Sequence, residues 1–273
     1  MGKIFDALER HKKEKALSRL EPLPIDASEK QVEKSPESPS VPNLVPLSSL
    51  NQKLVVASAP DSMDAENFKI LRTQVLFPKD GKRPRTILIT SSLPGEGKTF
   101  VAANLAVSIA QSIDEYVILM DCDLRRPRLH HMLGFSNTDG LHEYLTEKKA
   151  LPDVLIRTRF EKLSLLSAGN PSPNPSELLL STRMKNLFEK VKGRNRDRFI
   201  IIDAPPTQIT AEAAVLSNYT EGTIFVVMAG KSPRAMIHRN IEDLGKTKII
   251  GIVFNGYNKS HKSYNKYYKK YYK

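Results

Sequence analysis

The sequence lacks most of the features that build membrane, secreted or repeat proteins. Its single cysteine, Cys122, excludes a disulfide framework within the chain and fits a reducing compartment. No apolar run approaches the roughly 20 residues that a membrane-spanning helix needs, and the charged residues 1–20 lack the apolar stretch of a signal peptide. No repeat of the solenoid kind is present. We therefore expect a soluble, cytosolic chain whose 273 residues build one good-sized core.

Acidic residues are missing from the end of the chain. The last seventeen residues, YNKSHKSYNKYYKKYYK, hold six lysines and six of the nine tyrosines, so half of the formal net charge of +12 lies there. Such a charge indicates an acidic partner, either nucleic acid, anionic lipid or phosphate, or it simply solvates two flexible ends. A segment of this composition cannot form a buried core. We therefore predict a flexible tail over residues 257–273.

Two further segments precede the predicted folded domain. Residues 1–20 place Ile4, Phe5 and Leu8 at helical spacing, which indicates an amphipathic helix that docks on a protein or lies on a membrane. Residues 21–50 contain six prolines and many serines, a composition typical of a linker. The folded domain is predicted over residues 51–256.

Short apolar runs then alternate with amphipathic segments. The predicted strands cover residues 86–90, 116–121, 162–168, 199–203, 222–228 and 248–255, and the predicted helices cover residues 63–77, 98–111, 176–192 and 233–244. Several strands are apolar without alternation, as is typical of strands buried on both faces of a parallel sheet. The pattern predicts an α/β fold, a doubly wound and mainly parallel sheet with helices on both faces. Ligands of such folds bind at the carboxyl ends of the strands.

One such end carries a phosphate-binding loop. The stretch SSLPGEGKT, residues 91–99, follows a predicted strand and opens a predicted helix. Gly95 and Gly97 would let the backbone close around an oxyanion, while Lys98 would reach the β- and γ-phosphates and Thr99 would hold Mg²⁺. The first glycine of the general pattern is replaced by Ser92. The predicted nucleotide-binding residues, for ATP and Mg²⁺, are Pro94, Gly95, Glu96, Gly97, Lys98, Thr99 and Phe100.

Three carboxylates follow other apolar strands. Asp121 and Asp123 end the run VILMDCD, and Asp203 ends the run FIIID. A single carboxylate at a strand end is often a helix cap or a turn residue. Three of them in a chain with a phosphate loop indicate instead that neighbouring parallel strands bring acids together beside the phosphates, where they bind Mg²⁺ or its waters.

These residues carry a resemblance to a known family. The runs PGEGKT, VILMDCDLRRP and IIIDAPP resemble the Walker A, Walker A′ and Walker B motifs of the bacterial tyrosine kinases, the autokinases of polysaccharide export, whose P-loop fold is MinD/ParA-like. The tyrosine-rich end is similar to that family's autophosphorylated tail, and the resemblance covers about residues 54–273. It implies phosphoryl transfer from ATP, in trans, to the chain's own tail. The implied acceptors are Tyr257, Tyr264, Tyr267, Tyr268, Tyr271 and Tyr272.

The resemblance also implies roles for the site residues. Lys98 and Thr99 would bind the phosphates and Mg²⁺, and Asp123 and Asp203 would hold the metal or its water shell. Asp121 would accept the tyrosine proton, because a phenol of pKa about 10 is a poor nucleophile at neutral pH without a base or a metal. The implied catalytic residues are thus Lys98, Asp121, Asp123 and Asp203.

Two arginines follow the second strand. Arg125 and Arg126 could neutralise phosphate charge, hold a neighbouring subunit or lie on the surface, and these alternatives stay open at this point. Asn255, at the end of the last predicted strand, could contact the nucleotide base or cap a turn.

The same resemblance implies how the chain assembles and which partners it binds. The family's helix E-x-x-R-x-x-R mediates ring assembly, and ENFKILR gives Glu66, Lys69 and Arg72, with lysine in place of the middle arginine. Lysine keeps the charge but loses the bidentate fork, so a ring and a solvated charge stripe remain equal interpretations. The implied partners are a membrane chain-length regulator that activates the kinase, further copies of the chain and a cognate tyrosine phosphatase. We expect no nucleic-acid partner and a cytoplasmic protein recruited to the inner face of the membrane.

A different class of protein shares this fold. Partition and positioning ATPases use nucleotide as a dimerisation switch on DNA or membrane, and their loop has the form K-G-G-x-G-K-[ST]. Leu93 occupies the position of their additional lysine, which favours the kinase. A third interpretation treats the tail as a nucleic-acid-binding arm, in which tyrosines stack on bases and lysines contact phosphates.

Overall fold

The computed structural model describes residues 50–193 and 198–257. The predicted helix over residues 1–20 and the tail beyond residue 257 lie outside these residues, as does the predicted linker except for Leu50. The proposed domain boundaries therefore stay predictions.

A seven-stranded sheet forms the centre of the described domain. Its strands are β1 (Thr86–Ser91), β2 (Tyr116–Asp121), β3 (Leu155–Arg157), β4 (Leu163–Leu166), β5 (Arg198–Asp203), β6 (Gly222–Met228) and β7 (Ile249–Asn255). Their order is β3-β4-β2-β5-β1-β6-β7, and all neighbours are parallel except the antiparallel pair β3 and β4. The three central strands β2, β5 and β1 are buried at every position after the first, and each contains a run of at least three apolar residues, which explains why apolar runs predicted them.

Helices cover both faces of the sheet. They are α1 (Val55–Ser58), α2 (Met63–Leu76), α3 (Lys98–Ala110), α4 (Leu129–Leu133), α5 (Leu141–Leu145), α6 (Leu151–Val154), α7 (Pro175–Leu180), α8 (Thr182–Gly193), α9 (Glu212–Ser217) and α10 (Arg234–Leu244). One core lies between the sheet and α1 to α4, and the other lies between the sheet and α5 to α10. The predicted doubly wound α/β fold is confirmed.

The structure corrects the predicted elements in three places. The predicted helix over residues 176–192 is two helices, α7 and α8, because the intervening Ser181 has extended backbone (φ −64°, ψ 151°) and its hydroxyl accepts a hydrogen bond from the amide of Met184. Strand β3 was not predicted, since its three residues lie at the edge of the sheet and are only partly buried. The helices α1, α4, α5, α6 and α9 were missed because four to six residues are too few to show a helical period.

Helix α3 fixes the phosphate loop relative to the sheet. Its positions from Val101 to Ala110 are all buried, and it packs beneath β1, β2 and β5. The buried side chain of Asn104 joins it to the preceding segment, accepting from the amide of Val56 and donating to the carbonyl of Lys53. The loop that opens α3 therefore lies at a rigid position, at the edge where β1, β2 and β5 end. Among the described residues, no helix is both long and apolar enough to cross a bilayer.

Candidate active site

The phosphate loop has the geometry that its glycines predict. Gly95 (φ 76°) and Gly97 (φ 98°) have left-handed backbone, which residues with a side chain rarely adopt. A Cβ atom on Gly97 would also lie 2.1 Å from Nδ2 of Asn255. Helix α3 begins at the next residue, Lys98, so the amides of its first turn and its dipole face the position of an anion.

Lys98 lies between two of the predicted carboxylates. Its Nζ is 2.9 Å from Oδ2 of Asp123 and 3.7 Å from Oδ1 of Asp203. Burial alone would lower the pKa of Lys98, but the charges of Asp203 and Asp123 together raise that pKa above its ordinary value. The ammonium group is therefore charged at neutral pH and is held by the residues that were predicted to bind metal.

Asp203 has an unsatisfied, buried carboxylate. Neither of its oxygens accepts a hydrogen bond of ordinary geometry within the described part of the chain. Burial raises its pKa, while the charge of Lys98 and the nearby hydroxyl of Thr99 lower it. Lys98, at 3.7 Å, is thus only a partial partner for this buried carboxylate, and a hard cation is the further partner that such oxygens prefer.

The oxygen donors of this site fit Mg²⁺. Among the described residues, no three His, Cys, Asp or Glu side chains are arranged to enclose a metal ion by themselves. Mg²⁺ is usually held by one or two carboxylates together with substrate phosphates and waters. Thr99, Asp123 and Asp203 lie at the mouth of the phosphate loop and offer such a partial set.

Asp121 is wholly buried and shapes the loop that follows β2. Its Oδ1 accepts from the amide of Asp123 (3.1 Å), and its Oδ2 accepts from the amides of Arg128 (3.2 Å) and Leu129 (3.0 Å). Burial and the neighbouring charge of Asp203 raise the pKa of Asp121 to about 8, although the Leu129 amide lowers it in part. This carboxyl group thus holds its proton more tightly than an ordinary aspartate does.

The structure gives Arg125 a partner within the chain. Its Nε donates to Oε1 of the buried Glu212 (3.0 Å), and its Nη2 forms an ion pair with the same oxygen (2.9 Å). The Ser176 hydroxyl also donates to that oxygen, at 3.0 Å. Arg125 therefore joins the loop after β2 to α9 and α7. Arg126 donates its backbone amide to Oδ1 of Asp123.

The predicted assembly residues lie on α2 and make contacts within the chain. Lys69 forms an ion pair with Glu66 (3.0 Å), and Nη1 of Arg72 donates to the carbonyl of Ser108 near the end of α3 (3.0 Å). An oligomer contact at these residues stays a prediction.

Of the predicted phosphoacceptors, Tyr257 lies within the described residues. It is exposed, and its ring lies 5.5 Å from the ring of Phe254. The five tyrosines between residues 264 and 272 lie outside the described residues.

Sequence reasoning missed two residues that contact the phosphate loop from the loop after β6. Lys231 and Ser232, in the loop after β6, donate to the carbonyl of Pro94 and to Oε1 of Glu96. Asn255, for which the sequence left a base contact or a turn cap open, donates from its Nδ2 to the carbonyl of Glu96 (2.9 Å). Only the topology could have indicated these contacts, because the loops that leave β6 and β7 lie at the edge of the sheet where ligands bind.

In sequence, this chain is similar to a family of P-loop NTPases and to bacterial tyrosine-protein kinases. The ParA family, described as NUBPL iron-transfer P-loop NTPase, matches residues 82–271. The tyrosine-protein kinase YwqD of Bacillus subtilis (strain 168) is 33% identical over 212 residues, which cover 77% of this chain and 88% of that protein. The putative tyrosine-protein kinase CapB of Staphylococcus aureus is 31% identical, with 74% and 88% covered.

Solved structures with related sequences also resemble this chain in fold. The chimerical protein CapA2B2 superposes with a TM-score of 0.71 at 33% identity, covering 77% of this chain and 92% of that one. The septum site-determining protein MinD of Pyrococcus horikoshii OT3, complexed with Mg-ADP, superposes with a TM-score of 0.54 at 26% identity, covering 65% and 72%.

Proposed function

This chain belongs to the ParA family of P-loop NTPases and to the bacterial tyrosine-protein kinases, and from that premise we propose that it is an ATP- and Mg²⁺-dependent autokinase whose acceptors are its own C-terminal tyrosines. The observation that carries the proposal is the placement of Lys98. This charged ammonium group lies at the amino end of α3, within 4 Å of both Asp123 and Asp203. A cation and two carboxylates beside a phosphate loop are the parts that phosphoryl transfer requires.

The proposed nucleotide site uses the loop and the carboxylates together. The backbone amides of residues 95–100 and the ammonium of Lys98 would bind the phosphates of ATP, which means that Lys98 must share its charge between the nucleotide and Asp123. Thr99, Asp123 and Asp203 would hold Mg²⁺, which when bound neutralises charge on the transferred phosphoryl group. The unsatisfied oxygens of Asp203 support this assignment.

Asp121 is the proposed proton acceptor. In the transfer, the tyrosine O–H bond breaks, its proton passes to the Asp121 carboxylate, the phenolic oxygen bonds to the γ-phosphorus, and the bond from that phosphorus to the ADP oxygen breaks. A carboxylate whose pKa is raised to about 8 is a stronger base than an ordinary aspartate. The three backbone amides that bind Asp121 fix the direction of its oxygens.

The tail supplies both the substrate and a means of regulation. Seventeen extended residues span roughly 55 Å, enough to reach a neighbouring copy of the domain. Each phosphotyrosine adds about −1.5 to −2 charges to a lysine-rich segment, which would weaken its attraction to an acidic site and favour disassembly. In this proposal Glu66, Lys69 and Arg72 contribute to a homo-oligomer, residues 1–20 dock the chain to a membrane-bound activator, and a tyrosine phosphatase resets the tail. The process served is synthesis and export of capsular or exopolysaccharide.

Transfer in trans can be tested by mixing two variants. A chain truncated after Gly256 keeps the proposed catalytic residues but loses the tail, and Lys98→Met keeps the tail but loses the phosphate-binding cation. We expect ³²P from γ-labelled ATP on the Lys98→Met chain only when the truncated chain is present. Label that appears only in wild-type protein, and never in the mixture, would contradict transfer between chains.

A nucleotide-dependent dimerisation switch on membrane or DNA is the second candidate function. The similarity to MinD in fold supports it, whereas Leu93, in place of a lysine, favours the kinase. Hydrolysis of ATP without any phosphotyrosine would favour the switch. Iron transfer, which the family description names, receives no support from a sequence whose single cysteine is buried.

A further inference from the structure

Glu96 has a fully buried carboxylate in the middle of the phosphate loop. Both of its oxygens accept hydrogen bonds. Oε2 accepts from the amide of Leu93 (2.7 Å), while Oε1 accepts from the amide of Met228 (3.2 Å) and from the hydroxyl of Ser232 (2.6 Å). Burial of a charged group is costly unless several donors bind it, and these three donors compensate that cost.

The partners of this carboxylate come from two distant parts of the chain. Leu93 belongs to the phosphate loop itself, whereas Met228 ends β6 and Ser232 lies in the loop between β6 and α10. The carboxylate therefore joins the loop to the end of a neighbouring strand. Two other contacts, from Asn255 to the Glu96 carbonyl and from Lys231 to the Pro94 carbonyl, attach the same turn to the same side of the sheet.

The loop needs such support because its backbone conformation is unfavourable. Gly95 and Gly97, on either side of Glu96, have left-handed backbone. Glycine loses more conformational freedom on folding than any other residue, so ordering this turn is costly. A loop that binds phosphate must hold its amides in one arrangement before the ligand arrives, since any ordering on binding lowers affinity. The hydrogen bonds that the Glu96 carboxylate accepts from the amides of Leu93 and Met228 supply that order.

We propose that Glu96 is a positioning residue: its carboxylate, bound by Leu93, Met228 and Ser232, fixes the shape of the phosphate loop against β6 and so sets nucleotide affinity. The inference rests on the proposed function in one respect, that the loop binds a nucleotide. Glu96 acts through the loop backbone, and its side chain makes no contact with the phosphates, because both oxygens are occupied by donors of the chain.

Two substitutions separate the hydrogen bonds from the volume of the side chain. Glu96→Gln keeps the shape but has one acceptor oxygen, so in either orientation of the amide one backbone N–H, that of Leu93 or of Met228, faces an NH₂ group. Ser232→Ala removes a single donor and leaves the carboxylate and both amides paired. Glu189→Gln, an exposed position on α8, is the matched control for the loss of a negative charge.

The test uses the full-length chain and a fluorescent ADP analogue with Mg²⁺, together with hydrogen exchange without nucleotide. Loss of a charge-assisted hydrogen bond predicts about tenfold weaker binding for Glu96→Gln and about threefold weaker binding for Ser232→Ala. Amide exchange should accelerate in peptides that contain Leu93 and Met228, but not in those of β2. The apparent KM for ATP should rise while kcat changes less. Glu189→Gln should match the wild type in all three measurements.

The alternative outcomes are distinct. Affinities within twofold of wild type for both variants, with unchanged exchange at Leu93 and Met228, would overturn the inference, and so would acceleration spread evenly over the whole sheet. If Glu96→Gln does not fold, the nucleotide affinity and amide exchange of Ser232→Ala decide whether the inference holds. Wild-type protein that binds Mg-ADP but never phosphorylates tyrosine would refute the proposed function alone. Wild-type protein that binds no nucleotide would overturn both.

Discussion

Asp121 and Asp203 are register partners at the carboxyl ends of the neighbouring parallel strands β2 and β5, and both carboxyl groups are buried. Two acids held side by side away from water cannot both ionise without cost. The charge of Asp203 accordingly contributes to the raised pKa of Asp121, and Lys98 offsets part of that cost. The free energy of unfolding and the proposed proton transfer to Asp121 therefore both depend on pH through Asp121 and Asp203.

We predict that the free energy of unfolding falls as pH rises from about 4 to 8. Asp121 has a folded-state pKa of about 8 against an ordinary value of 3.8, so the folded state binds its proton more tightly than the unfolded state does. The stability from this group is complete below its unfolded pKa and is lost as pH rises through the folded one, at up to about 1.4 kcal/mol per pH unit. Urea unfolding of nucleotide-free protein should show this slope, and Asp121→Asn should flatten it. A slope that is unchanged in Asp121→Asn would contradict the assignment.

We predict that Arg125→Ala lowers the free energy of unfolding by about 1–3 kcal/mol, because Glu212 is then a buried carboxylate without its charged donor. The double variant Arg125→Ala/Glu212→Gln should recover part of that loss. Glu147→Gln, which breaks the exposed ion pair with Arg183, is the control and should cost less than about 0.5 kcal/mol. Urea unfolding measures all four proteins. A double variant that is no more stable than Arg125→Ala would show that the unpaired charge of Glu212 does not cause the loss.

Gly97→Ala should abolish binding of Mg-ADP, whereas Gly81→Ala should leave it unchanged. Both glycines have left-handed backbone, so both substitutions introduce a similar strain of about 1–2 kcal/mol. A Cβ atom at Gly81 meets nothing within 4 Å, whereas one at Gly97 meets the side chain of Asn255. Titration with a fluorescent nucleotide distinguishes the two effects. Equal loss of binding in both variants would assign the effect to general destabilisation.

The sequence was sufficient to predict the sheet and the phosphate loop because their signals are local. Six strands were predicted from apolar runs, and all six are present. The loop from Pro94 to Thr99 and the acids Asp121, Asp123 and Asp203 were predicted from their positions after strands, and the structure brings Lys98 beside Asp123 and Asp203.

The remaining parts of the site depend on contacts between distant segments. Glu212 was not predicted, since its importance comes from Arg125, which lies 87 residues earlier. Ser232 carries no local signal either, because its contact with Glu96 spans 136 residues. Such contacts become visible only when the strand order is known, as the order β2-β5-β1-β6 places these loops side by side.

The most direct test of the proposed autokinase is tyrosine-resolved mass spectrometry of purified protein incubated with ATP and Mg²⁺, with Lys98→Met in parallel. We predict phosphate on the tyrosines between residues 257 and 272 of the wild type and none on those of Lys98→Met. A tail that stays unmodified in wild-type protein, even with a membrane activator present, while ATP is hydrolysed, would contradict the account.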